Sequence, residues 1–124
     1  MRVLFVDDAD VILELTEMWC QIFGIEYSLA HNAKEALTFC QRTNHALVVT
    51  DLNMPAIGGI ALIQELHQRH PDLRVFAFAG DACNHKSCYP DGACALFFRK
   101  FDGHAPLFVE IMKHLAIQKY PFLA

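Results

Sequence analysis

Short apolar runs alternate with stretches of helical period along most of this chain. Val3–Val6 is uniformly apolar, as a strand buried on both faces is. Asp10–Phe23 follows as an amphipathic helix with Val11, Leu15, Met18 and Ile22 on one stripe, and Gly24 ends it. Tyr27–Ala30 reads as a second strand. Asn32 then caps a helix that runs to about Arg42, and Glu35, three residues on, completes a capping-box pattern. Ala46–Thr50 is a third strand. A loop with Pro55 and Gly58-Gly59 leads to a helix from about Ile60 to His70, stopped by Pro71. Leu73–Ala79 is a fourth strand, Leu96–Phe98 a fifth, and Pro106–Lys119 a final amphipathic helix.

The alternation predicts an α/β fold, a doubly wound (βα)5 parallel sheet of flavodoxin-like order 2-1-3-4-5 with helices on both faces. One unit departs from the rhythm. Asp81–Asp91 falls where the fourth helix belongs, yet Asn84, Ser87, Pro90 and the following Gly92 are weak or breaking residues. A short or irregular fourth helix is expected there.

Length narrows this to a single domain over residues 1–124. A net charge of −4 and scattered basic residues give no electrostatic footprint for nucleic acid or an anionic membrane. No apolar run approaches the roughly 20 residues of a membrane span. The first strand starts at the N-terminus with no signal peptide before it, and five cysteines cannot all pair in one chain, so a cytoplasmic protein with reduced thiols is expected. The tail beyond Lys119 is too short for an output domain.

The candidate chemistry lies at strand ends. Asp7-Asp8 closes the first strand, and Asp51 closes the third within Val48-Val49-Thr50-Asp51-Leu52-Asn53-Met54-Pro55. Strands 1 and 3 are neighbours in the 2-1-3-4-5 order, and the carboxyl edge of such a sheet is where ligands bind. Three carboxylates that converge there repel each other unless a cation lies between them. Magnesium (or manganese) suits oxygen ligands of this kind. A lysine from strand 5 would add positive charge on the other side, and such a site can hold and transfer a phosphoryl group.

These residues resemble the receiver domains of two-component response regulators, including stand-alone chemotaxis-type regulators. The likeness covers essentially the whole chain and rests on Phe5-Val6-Asp7-Asp8, Asp51-Leu52-Asn53-Met54-Pro55, Gly59 and Phe97-Phe98-Arg99-Lys100. It implies that Asp51 is the phosphoacceptor, Asp8 a direct metal ligand, Asp7 a ligand through water, and Asn53 a ligand through its backbone carbonyl. Lys100 would bridge Asp51 and the phosphoryl group, with Arg99 the alternative if strand 5 is counted from Gly92. The implied partners are a histidine kinase or phosphotransfer protein and an output protein, and a weak homodimer stays open.

Three positions depart from that family. Ala79 stands where Ser or Thr ordinarily donates to the phosphoryl oxygen, a bond to a charged group worth roughly 1.5–3 kcal/mol. The switch aromatic would be Phe97, without a hydroxyl partner. Phe101 replaces a proline that follows a cis bond, so a trans bond and an altered loop are expected. The eroded fourth helix belongs to the usual partner face. Asp81 could tune the lifetime of the phosphorylated state, although helix capping also explains it.

Competing chemistry has weaker support. Asp8 and Asp10 suit the positive end of a helix dipole without any ligand. Cys83, His85, Cys88 and Cys94 invite a zinc reading at a non-standard spacing, while Cys20 and Cys40 are best explained by packing. His67, His70 and His114 lie late in helices, where a partly charged imidazole suits the dipole. Asp8-x-Asp10 resembles the nucleophile motif of haloacid-dehalogenase-type phosphatases, but the later acidic pair of that family is absent. A phosphoacceptor rather than an enzyme is expected, with a degenerate, phosphate-independent binding module as the alternative.

Overall fold

The computed structural model describes residues 1–80 and 94–123. Strands β1 (Arg2–Val6), β2 (Glu26–Ala30), β3 (Leu47–Thr50), β4 (Arg74–Ala79) and β5 (Leu96–Arg99) alternate with helices α1 (Asp10–Phe23), α2 (Ala33–Arg42), α3 (Gly59–Arg69) and α4 (His104–Lys119). Neighbouring strands pair in parallel, in the order β2-β1-β3-β4-β5. This is the expected doubly wound sheet. The expected irregular helix, with Asp81, Cys83, His85 and Cys88, lies outside the described residues.

Strand alternation builds two cores. Leu4, Val6, Val48 and Val75 point to the α2–α3 side, where Leu62, Ile63 and Leu66 meet them. Val3, Phe5, Val49 and Phe76 point to the α1–α4 side, against Leu13, Cys20, Phe108 and Ile111. Asn32 caps α2 as expected, accepting from the Glu35 N–H at 2.8 Å. Glu35 reaches back to the N–H of His31 rather than that of Asn32.

α1 packs on a face other than the stripe Val11, Leu15, Met18 and Ile22. Those side chains are 64%, 43%, 56% and 73% exposed, while Leu13, Thr16 and Cys20 are buried. The helix is apolar nearly all round, so periodicity alone permits either face. Specific contacts decide between them. Trp19 and Phe23 lie against Phe108 at 5.4 and 6.2 Å between centroids. The Thr16 hydroxyl donates to the Ile12 carbonyl at 2.8 Å, so its oxygen is left to accept from His104 Nε2–H at 2.9 Å. α4 also begins two residues earlier than expected, at His104. Pro106 falls in its first turn, where the missing N–H would have had no helical partner.

Gly59 positions the site. A Cβ there would lie 1.8 Å from the backbone oxygen of Asp51 and 2.6 Å from Cα of Leu52. The first turn of α3 therefore presses on the backbone that carries Asp51. Gly59→Ala should cost about 3 kcal/mol, read as a fall in the urea midpoint with the slope unchanged.

Three histidines should set the acid response of the fold. Burial holds His45, His104 and His114 below the usual imidazole value of 6.5. Folded pKa values below unfolded ones mean that the unfolded chain binds more protons just beneath that pH. Stability contributed by the neutral rings is full above 6.5 and declines as pH falls below it. The urea midpoint should drop between pH 7.5 and pH 5.5, and His104→Gln should flatten that slope.

Candidate metal centre

β1 and β3 are paired neighbours, with Val6 opposite Thr50, so the residues just past their ends emerge side by side. The Asp7 N–H donates to the Ala30 carbonyl and the Asp51 N–H to the Val6 carbonyl, which extends the ladder to the acidic residues themselves. Asp7 and Asp51 are buried and Asp8 is exposed. Ligand oxygens of all three lie within 4.8 Å of one another, the arrangement anticipated from the sequence.

Backbone donors orient the two buried carboxylates. The Ala9 N–H donates to Asp7 Oδ1 at 2.9 Å, and the Asn53 N–H to Asp51 Oδ1 at 3.2 Å. No side-chain motif marks these amides, so the sequence did not reveal them. The second oxygens face Lys100, whose Nζ lies 2.7 Å from Asp7 Oδ2 and 3.2 Å from Asp51 Oδ2. Arg99 turns away and pairs with Asp102 at 3.2 Å. The register that assigns Lys100 to the site is therefore the one the fold adopts.

The electrostatics follow from burial. Desolvation pushes the Asp7 carboxyl above its ordinary value, although the Lys100 hydrogen bond, the Ala9 amide and the Lys100 charge all pull it down. Burial alone would lower Lys100, but its bonds to Asp7 and Asp51 and their charges outweigh that and hold its pKa high. The result is a cluster of three carboxylates and one ammonium that is two positive charges short of balance. Oxygen donors at this spacing fit a hard divalent cation.

The other candidate positions separate clearly. Ala79 closes β4, buried, opposite Arg99. Phe97 packs at the α2–α3 side and Phe98 at the α1–α4 side. The Lys100–Phe101 bond is trans, as expected, and Phe101 is 91% exposed on the short turn Lys100–Asp102. Asp10 pairs with His31 at 3.2 Å. Cys94 donates to the Leu96 carbonyl at 3.2 Å. Cys20 and Cys40 are buried free thiols, pushed up by burial to about 12 and about 11. His67 lies in the last turn of α3 and His70 caps it, whereas His114 lies 3.1 Å from the Ala46 carbonyl. Among the described residues, no helix is long and apolar enough to cross a membrane.

Comparison with known proteins agrees with this geometry. The response regulator GacA of Pseudomonas protegens is 34% identical over 79 residues, covering 62% of this chain and 37% of GacA. The transcriptional regulatory protein SrrA of Staphylococcus aureus is 30% identical over 94 residues, covering 74% of this chain and 39% of SrrA. The chain thus spans well under half the length of these relatives. The response regulator protein TrrA of Thermotoga maritima, solved in complex with Mg(2+)-BeF, superposes with a TM-score of 0.81 at 29% identity, over 91% of this chain and 97% of TrrA. A signal receiver domain of an HD domain-containing protein from Pseudomonas fluorescens shares the fold at a TM-score of 0.86 and 21% identity, over 95% and 96% of the two chains. Residues 3–100 match the family model of the response regulator receiver domain. With its parallel sheet and its three clustered carboxylates, the chain belongs to the receiver domain family of two-component response regulators.

Proposed function

We propose that Asp51 accepts a phosphoryl group from a phosphohistidine on a kinase or phosphotransfer protein, and that its phosphorylation regulates the binding of an output protein. The observation that carries this reading is the placement of Asp51. Its buried carboxylate lies among Asp7, Asp8 and Lys100 at the carboxyl edge of the sheet. An Asp51 oxygen attacks the phosphorus in line as the bond to the donor imidazole nitrogen breaks. The imidazole leaves neutral and an acyl phosphate remains. Water later attacks that phosphorus, releasing inorganic phosphate and restoring the carboxylate.

Lys100 neutralises charge on the incoming group and holds Asp51, while the Asn53 amide fixes the other carboxylate oxygen. Asp7, Asp8, Asp51 and the Asn53 carbonyl would hold magnesium or manganese, which supplies positive charge to the phosphoryl oxygens. The Mg(2+)-BeF complex of TrrA supports that assignment. The domain acts as a phosphoacceptor and not as a turnover enzyme. Buried thiols fit a reducing cytoplasm. A phosphate-independent binding module is the second reading, and the buried methyl of Ala79 favours it, because no hydroxyl there can report the phosphoryl group. Family membership sets the dehalogenase-type reading aside.

Three measurements test the site. Millimolar magnesium should raise the melting temperature by mass action, with reversal by EDTA and loss of the effect in Asp8→Asn. Acidification should weaken magnesium binding, beginning above the ordinary aspartate range because the Asp7 carboxyl is raised. Incubation with magnesium and acetyl phosphate or a phosphoramidate should add one labile phosphate by intact mass, absent in Asp51→Ala. Magnesium binding without phosphate addition would move the assignment to the binding module.

A further inference from the structure

β2 is an edge of the sheet, and its register fixes which main-chain groups face outward. The Asp7 N–H donates to the Ala30 carbonyl, so Glu26, Ser28 and Ala30 bond to β1 while the alternate residues Tyr27 and Leu29 point away from it. The outward groups to either side of Leu29 are already taken. Arg2 Nη1 donates to the Tyr27 carbonyl at 2.6 Å, and the His31 N–H donates to Glu35 Oε1 at 2.8 Å. Between these two, the N–H and carbonyl of Leu29 stay open among the described residues. Open edge groups of this kind are a template for pairing with another chain.

A groove of about 750 Å³ lies at that position, lined by Leu29, the half-buried Phe39 and the α2 residues Lys34, Thr38 and Arg42. Those three follow one another at single helical turns. Lys34 and Arg42 are exposed and eight residues apart, so their stems leave the helix about 12 Å apart. Neither has a carboxylate partner among the described residues, whereas Arg2, Arg69, Arg99, Lys100 and Lys113 all do. Glu35, on the same side of α2, is occupied by His31. In a protein of net charge −4, the groove thus sets two unpaired cations on either side of an apolar centre.

We infer that this groove binds an extended acidic segment of another protein, which adds to the sheet as a strand beside β2. The Leu29 N–H and carbonyl supply two main-chain hydrogen bonds. Charge and spacing select the segment. A strand advances roughly 3.3 Å per residue and its side chains alternate between faces, so carboxylates about 12 Å apart on the α2 face lie at positions i and i+4. Position i+2 falls between them on the same face, toward Phe39, and calls for an apolar side chain. The pattern that fits is acidic-x-apolar-x-acidic. Two main-chain bonds and one anchor make a contact smaller than stable interfaces need, so binding is weak and reversible. This inference is independent of whether Asp51 takes phosphate.

The test is an NMR titration of the whole nitrogen-labelled chain, without metal or phosphodonor, with the end-capped peptide Thr-Glu-Thr-Ile-Thr-Glu-Thr. Amide shifts should concentrate between Tyr27 and Thr43 and saturate with a Kd of about 1 mM or tighter. Solvent exchange of the Leu29 amide should slow. Replacing the peptide's Ile by Ser, or N-methylating its three central residues, should each weaken binding by about tenfold or more. The double variant Lys34→Glu, Arg42→Glu should lose this peptide and instead bind Thr-Lys-Thr-Ile-Thr-Lys-Thr, which also shows that the variant is folded. No shifts at about 5 mM peptide would overturn the inference. Binding that survives N-methylation would overturn the strand addition, and binding indifferent to the double variant would overturn the charge assignment. The same shifts on concentrating the chain without peptide would overturn the inference in favour of a second copy.

Discussion

The ammonium of Lys100, set between the buried carboxylates of Asp7 and Asp51, is the interaction on which the site depends. Two carboxylates this close to each other and to Asp8 cannot all stay ionised in a low-dielectric setting without compensating charge. One lysine compensates part of it. The rest is met by backbone amides and, on the proposed reading, by a metal ion. The sheet order has the same logic, since only neighbouring parallel strands bring Asp7 and Asp51 together, and only the adjacent β4–β5 pair extends the carboxyl edge to Lys100. Gly59 belongs to this arrangement too, because the backbone of Asp51 can be held in place by α3 only where no Cβ intervenes.

Much of this was legible in the chain itself. Apolar runs without alternation announced strands buried on both faces, and the acidic residues at their ends announced the edge where chemistry gathers. The choice of Lys100 over Arg99 was open in the sequence, because the irregular stretch before β5 allows a slip of one residue. Strand pairing settles it, placing Arg99 opposite Ala79 and the next side chain over the carboxylates. The amides of Ala9 and Asn53 were invisible, since backbone donors leave no mark in side-chain patterns.

The face of α1 was misjudged for an instructive reason. A helix that is apolar almost all round satisfies two stripes at once, and hydrophobic periodicity carries no information about which one is buried. Thr16 decided it, a polar residue at a position that a pattern search assigns to solvent, fixed inward by His104 from a helix 88 residues away in sequence. Among the described residues the departures from the family fall near the site: Ala79, the last residue of β4, lacks a hydroxyl, and Phe101 turns outward on a trans bond. Both leave Asp51 and the other carboxylates untouched while, on the proposed reading, altering how a phosphoryl group would be sensed.

The central claim is that Asp51 is the phosphoacceptor. The most direct measurement is borohydride trapping of the protein after reaction with a small phosphodonor, followed by peptide mapping, since reduction converts an aspartyl phosphate to homoserine. The account predicts homoserine at position 51 alone, and only when magnesium is present. Homoserine at Asp7, Asp8 or another carboxylate, or its absence under conditions where magnesium binds, would contradict it.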